Sequence, residues 1–249
     1  MLQRKRLWGG LFAVLAMALT VAWFAPAVWL GNVVAEHSRF RLVYPSGTLW
    51  KGSAVLGISD GKTTRVLPGR ISWRVRWKEL MSGRLGLAIE HGTIEQGVRV
   101  SYDGQLIQLG EGRALWPAAM LEVLGAPFNT ISPGGMLRIR WTESRLSNAG
   151  FDGTVQVDWD DAKSALSPVA PLGDFRVVVD AAQGHGKARL TTLSGPLLLE
   201  GEGRMEGGRF QFSGTADAEP EMRSSLNGLI GVLGPRSGQQ VLLNWEYRA

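Results

Sequence analysis

RISWRVRW, residues 70–77, is the stretch that decides the fold. Read as an extended chain, it puts Ile71, Trp73, Val75 and Trp77 on one side and Arg70, Ser72, Arg74 and Arg76 on the other, because successive strand side chains point to opposite faces. That period of two is the mark of a strand with one buried face. The pattern recurs outward along the chain. Leu137, Ile139 and Trp141 alternate with Arg138 and Arg140, while Val155, Val157 and Trp159 alternate with Gln156, Asp158 and Asp160. Phe210 and Phe212 alternate with Arg209 and Gln211. One-sided strands imply antiparallel pairing.

Helical candidates after residue 30 are short: Lys78 to Met81, Ala118 to Leu124 and Met222 to Leu233. Alternating strand and helix units are absent, so the expected class is mainly β, a curved antiparallel sheet or sandwich with a few small helices. The Gly- and Pro-rich stretches Gly125–Gly135 and Ser164–Gly173 read as linkers or long loops.

A weak internal duplication is also visible. GEGR occurs at Gly110–Arg113 and again at Gly201–Arg204. Around each copy the order is a Gly-bracketed strand, a turn and strand, GEGR, a helix ending in EVLG or GVLG, and a closing strand ending in Trp141 or Trp245. The expected organisation is therefore a basic stub and anchor over 1–30, one β repeat over 31–145 and a second over 146–249.

Leu7 to Leu30 carries no charge. As one helix it would reach ~36 Å, against a hydrocarbon core of ~30 Å. Arg4, Lys5 and Arg6 precede it, which places that end in the cytoplasm and the remainder on the far side of the membrane. Trp8 at one end and Trp23 and Trp29 at the other fit interfacial belts. A cleaved signal peptide competes, since Ala25-Pro26-Ala27 has the small-x-small form of a cleavage site. The length of the apolar run and Pro26 within the site favour the anchor. Either reading exports the domain.

The 249 residues are 45% hydrophobic, with 33 glycines and 20% charged residues, which suits a globular chain rich in tight turns. The formal charge of +5 owes much to the N-terminal stub. Beyond Leu30 the chain is near neutral, without the dense basic face that nucleic acid requires. The absence of cysteine rules out disulfides, thiol catalysis and thiolate metal sites.

Candidate chemistry is sparse. His37, His91 and His185 lie far apart in polar or glycine-rich settings, with no nucleophile elbow to accompany them. DWDDA holds the tight carboxylate cluster Asp158, Asp160 and Asp161. Asp158 and Asp160 share a face and could meet a hard cation. A solvated face opposite Val157 and Trp159 explains them more simply, and replacement of Asp158 or the histidines by alanine is then expected to be tolerated. GKTT at Gly61–Thr64 lacks the spacing of a phosphate loop, and GEGR lacks the third glycine of a dinucleotide fingerprint. Arg70, Arg74, Arg76, Arg138 and Arg140 form basic rows that could meet anionic lipid head groups or an acidic partner, though such rows are more simply solvated or paired with acids across strands, and the solvated reading is favoured. Trp50, Trp73, Trp77, Trp116, Trp141, Trp159 and Trp245 are expected to pack in the core. No catalytic, cofactor-binding or metal residue is assigned, and no cofactor is expected.

Several phrases in order, APAVWL, SGTLWKGSAVL, LPGRISWRV, SPVAPLGDF, LSGPLLLEGEG and LNGLIGVLG, resemble the general secretion pathway protein N family, protein N of the type II secretion system. Gly47, Trp50, Gly52, Pro68, Gly69, Pro171, Leu172 and Gly173 match its pattern. The resemblance implies a single-pass inner-membrane protein of a Gram-negative bacterium with a periplasmic domain. Its role would be that of a non-enzymatic accessory of the apparatus that exports folded proteins, a scaffold or assembly subunit. Expected partners are other type II secretion components and inner-membrane lipid, and no nucleic acid. The alternatives are a lipid-binding groove protein in the style of AsmA-like periplasmic proteins, with an apolar ligand along the sheet, and an undetected hydrolase.

Overall fold

The computed structural model describes Met17 and residues 20–38, 40–59, 64–125 and 128–248. Half of the expected anchor Leu7–Leu30 and most of GKTT lie outside these residues. Among the described residues no helix is long and apolar enough to cross a membrane. The expectation of one unbroken helix to Leu30 is corrected at its described end. Residues 20–23 are helical, Phe24 is a turn, and Pro26 is extended at φ −72°, ψ 148° ahead of a separate helix, Ala27–His37. Proline has no N–H to donate and its ring clashes with the preceding turn, so the helix stops before it.

The chain divides into two compact units: residues 1–76 with 87–92, and residues 77–86 with 93–249. In the first, strands β1 (Phe40–Gly47), β2 (Lys51–Ser59), β3 (Thr64–Val66), β4 (Ile71–Val75) and β5 (Leu85–His91) pair antiparallel. β2 is central, bonded to β1, β3 and β4, and β4 carries β5. The decisive stretch forms β4 as read, with Trp73 and Val75 buried and Arg74 between them exposed. Trp77 departs from the reading. It opens the helix Trp77–Met81, which belongs to the second unit, and stands exposed.

The second unit holds β6 (Val98–Tyr102), β7 (Ile107–Leu109), β8 (Gly112–Pro117), β9 (Pro133–Trp141), β10 (Ser144–Ser147), β11 (Gly150–Ser164), β12 (Gly173–Ala182), β13 (His185–Ser194), β14 (Leu197–Glu206), β15 (Arg209–Ala218), β16 (Arg236–Ser237) and β17 (Gln240–Arg248). Antiparallel ladders run β8–β9–β11–β12–β13–β14–β15–β17. Both Gly- and Pro-rich stretches prove to be connections inside this unit. The first joins β8 to β9 through a 3₁₀ segment, Ala118–Leu124, and a short helix, Phe128–Ile131; the second joins β11 to β12.

The core of this unit lies on one sheet face under the helix Arg223–Leu233. Leu226, Leu229 and Ile230 are three and four residues apart, so they share a helix face. They bury against Phe212, Ala216, Val241 and Leu243. Leu226 is wholly buried.

Candidate functional site

Two places concentrate polar chemistry, one in each unit. In the second unit it is the face of β9, β11 and β12 opposite the core. Register sets Asp158 beside Arg138 and Arg176, and Gln156 beside Arg140. The Asp158 carboxylate accepts from Arg176 Nε at 2.6 Å, Arg140 Nη2 at 2.8 Å and Gln156 Nε2 at 3.0 and 3.1 Å. Asp160 accepts from Arg138 Nη2 at 2.6 Å.

This corrects the solvated reading of DWDDA. Asp158 is only 1% exposed. The alternation correctly puts it opposite Val157 and Trp159, but the long side chains of the flanking strands lie across it and exclude water. Burial pushes its pKa up, yet hydrogen bonds from Arg176, Gln156 and Arg140 outweigh burial and hold it down at about 2. A carboxylate so saturated stays ionised and braces three strands. It is poorly placed to take up a proton at neutral pH or to ligate a cation.

The third carboxylate leaves the row. The ladders of β11 shift register at Asp160–Asp161, where Asp161 takes φ +49°. Its backbone N–H donates to Asp174 Oδ1 at 2.8 Å, and Ser194 Oγ donates to Asp174 Oδ2 at 2.8 Å. Those two bonds, in that order, lower the Asp174 pKa against burial. Opposite the bulge, a Cβ on Gly135, at φ +98°, would come within 2.5 Å of the carbonyl oxygens of Asp160 and Asp161. Only glycine permits that approach. Among the described residues no group of three or more His, Asp or Glu could hold a metal ion.

In the first unit the site is the junction between the N-terminal apolar segment and the β1–β2 turn. Trp50 Nε1 donates to the Ala22 carbonyl at 2.8 Å, the Leu49 N–H donates to the Ala25 carbonyl at 2.8 Å, and Pro26 bridges Thr48. A helix end leaves carbonyls unsatisfied, and this turn meets them. Ala25 and Ala27 are buried there, whereas Trp23, Phe24 and Trp29 are more than half exposed, at 61%, 70% and 51%. Beside the junction Arg70 is exposed yet hydrogen-bonded to its neighbours. Its Nη2 donates to the Tyr44 carbonyl at 3.1 Å, Ser46 Oγ at 3.1 Å and Ser53 Oγ at 3.1 Å, tying β1 to β2.

The model of the type II secretion system protein N family matches residues 38–243. The chain belongs to that family. It is thus a component of type II secretion, a protein-transport machine of the cell envelope. No curated relative and no solved structure matches it.

The residues through which the sequence resembles the family lie in turns and strand packing. Gly47, at φ +87°, closes the β1–β2 turn, and a Cβ on Gly52 would lie 2.5 Å from the Trp73 ring. Gly69, at φ +95°, turns into β4 against the His91 ring, which places that histidine in packing. Leu172 is buried at 2% just before Gly173, at φ +143°. His37 ends the helix Ala27–His37, and His185 stands exposed at the start of β13.

GEGR has a physical use in both copies. A Cβ on Gly112 would lie 2.3 Å from the Trp141 ring; in the second copy one on the matching Gly203 would lie 2.9 Å from the Phe210 ring, and one on Gly201, at the other position, 2.4 Å from that of Phe212. Each glycine is thus a floor on which a cross-strand aromatic lies, a device that stabilises glycine in sheets. The two copies nonetheless sit differently, one leading into β8 and the other inside β14. The tryptophans are less uniformly internal than expected. Trp73 is buried, but Trp77 and Trp245 are exposed, and Trp116, Trp141 and Trp159 are half-buried with each indole N–H bonded, to Thr93 Oγ1, the Gly110 carbonyl and the Gly134 carbonyl.

Proposed function

We propose that this protein is a single-pass inner-membrane scaffold of the type II secretion system, cytoplasmic at its N-terminus, whose β domain stands in the periplasm and works by binding other secretion components rather than by catalysis. The observation that carries this reading is the junction at Trp50. The β1–β2 turn is bonded directly to the end of the uncharged segment, so the domain is built onto whatever holds that segment. With Pro26 ending the helix, Leu7 to Phe24 would reach ~27 Å, close to the hydrocarbon thickness. The exposed Trp23, Phe24 and Trp29 then lie at the far interface. The test is a topology reporter: alkaline phosphatase fused after residue 249 should be active, and a cytoplasmic reporter there silent. A silent phosphatase overturns the topology. An N-terminus mapped to about residue 28 in the mature protein overturns the anchor.

The division into repeats over 31–145 and 146–249 belongs to the same proposal. Its support is that β8–β9 and β15–β17 are both antiparallel pairs joined through helical segments.

One observation favours a second reading, the AsmA-like groove. Ile139, Val157, Val177 and Leu190 follow one another across four paired strands on the apolar face, half-buried. An apolar lipid chain along that row would complete its burial. Co-purification of phospholipid that is lost on Val157→Asp, with the fold retained, would decide for it.

A further inference from the structure

The two ends of the second unit's sheet are treated differently. At the β8 end the segment Thr93–Glu95 closes the edge. The Leu115 N–H donates to the Thr93 carbonyl at 2.8 Å, the Glu95 N–H to the Arg113 carbonyl at 3.1 Å, and Ile94 bridges Ala114. At the β17 end only the beginning of the strand is covered. β16 pairs with Gln240 and Val241, and the Leu242 N–H donates to the Pro235 carbonyl at 2.9 Å.

That last bond fixes which backbone groups face outward. N–H and C=O directions alternate along an antiparallel strand, so Asn244 and Glu246 share the outward side with Leu242. Among the described residues nothing bonds them there. Natural edges are guarded by proline, lysine or bulges. From Leu243 to Arg248 this one has neither proline nor lysine, its only charges are Glu246 and Arg248, and its register with β15 is unbroken from Arg209↔Arg248 to Ala216↔Val241. On the apolar side Trp245 is 40% exposed while stacking on Phe212 at 5.1 Å between ring centroids.

We propose that this open edge of β17 pairs antiparallel with β17 of a second copy of the chain, about a two-fold axis through Trp245. Every register centred on a residue keeps the outward groups in phase, but one centred on Tyr247 bonds only Glu246, to Arg248 of the second copy, and leaves Asn244 past the end of the paired strand. One centred on Asn244 needs Leu242, whose outward groups Pro235 and β16 already occupy. One centred on Glu246 sets two carboxylates directly opposite, which is unfavourable. The register centred on Trp245 sets Asn244 opposite Glu246 of the second copy and the reverse. All the free N–H and C=O groups of both residues are then bonded, each amide faces a carboxylate, and the two exposed indoles meet as the close, non-hydrogen-bonded pair. Such an isologous contact is self-complementary, as two-fold association requires. One short strand pair buries less than the ~1,200 Å² of a stable interface, so the contact is weak in dilute solution and is best captured covalently.

The native chain has no cysteine, so introduced ones report without background. In membranes holding the full chain, Trp245→Cys should form a disulfide-linked dimer on mild oxidation, while Gln211→Cys, one strand inside the edge, should not. Because Trp245→Cys removes a stacked ring, the register is checked independently. Asn244→Cys and Glu246→Cys proteins mixed in one membrane should join through a short thiol-to-thiol reagent far more than either alone. Adding Glu246→Pro, which removes an outward N–H together with the exposed side-chain contacts to Gln211 and Arg209, should abolish the Trp245→Cys dimer without shifting the melting temperature by more than a few degrees, whereas Glu246→Gln, which keeps the N–H, should retain the dimer. Monomer throughout, capture of a different protein at residue 245, or a dimer indifferent to Glu246→Pro would each overturn the proposal.

Discussion

The two compact units are held together by different means. The second rests on a deep apolar layer in which Leu226, Leu229 and Ile230 meet Phe212, Val241 and Leu243. Among the described residues the first has a smaller clustered core, Ala27, Ala54 and Trp73 with Leu30, Leu42 and Ile71 packed around them, beside the separately buried Ala25, Leu67 and Val75. Its order comes instead from hydrogen bonds to the N-terminal segment and from Arg70 across β1 and β2. The difference teaches that one unit is a self-supporting sheet with a core, whereas the other is a collar formed around the end of the apolar segment.

The largest effect should come from the polar face of the self-supporting unit. Asp158→Ala removes the carboxylate shared by Arg140, Arg176 and Gln156; hydrogen bonds to a charged group contribute about 1.5–3 kcal/mol each, and with the arginines 46% and 39% exposed and free to meet water the summed loss is discounted to about 3–5 kcal/mol. Urea denaturation of the full chain should show that loss, and a midpoint unchanged from wild type would mean that the ladder is ornamental. Next comes the apolar face, where Leu226→Ala should cost about 2–5 kcal/mol, measured the same way. A loss below about 1 kcal/mol, the ordinary cost of a point substitution, would deny the unit its deep core.

Acid should expose the same carboxylate more gently. Its folded pKa, about 2, lies below the ordinary 3.8. The stabilisation is therefore complete above the unfolded value and disappears as pH falls from about 4 through 2. It amounts to about 2 kcal/mol. Asp158→Asn should flatten that part of the stability profile; a profile identical to wild type would reassign it to other carboxylates.

The smallest effect belongs to the collar. Trp50→Phe keeps an aromatic ring but removes the bond to Ala22, worth about 1 kcal/mol. Its signature should be local: faster protease cleavage between residues 20 and 30, with little change in the global midpoint. Equal loss in both measurements would erase the distinction between the units.

The strand pattern is legible in sequence where single residues alternate between faces, as in β4, β9 and the start of β11, because period two needs only the identity of each side chain. The same pattern cannot tell an exposed polar face from a covered one. Alternation sets Asp158 opposite Trp159, but its burial comes from Arg140 and Arg176, which register brings from positions 18 residues away on either side. The three arginines in β9 and β12 that match acids on β11 are a usable signal once those strands are paired. Trp77 is misplaced by the pattern because a helix begins where the alternation still runs. The Trp50 junction escapes sequence reading altogether, since it joins Ala22 to a turn 28 residues on through an indole N–H.

The central proposal is that the protein serves type II secretion by holding partners, with its residues acting as architecture. The direct measurement is the distribution of a folded type II cargo in a strain lacking the protein, complemented with wild type, with His91→Ala and His185→Ala, or with Asp158→Ala. Cargo should accumulate in the periplasm of the deletion strain while inner-membrane export continues. The wild type and both histidine variants should restore release, and Asp158→Ala should restore it only in proportion to the folded protein that remains. Normal release from the deletion strain, or its loss in a histidine variant that is fully folded and abundant, would contradict the account.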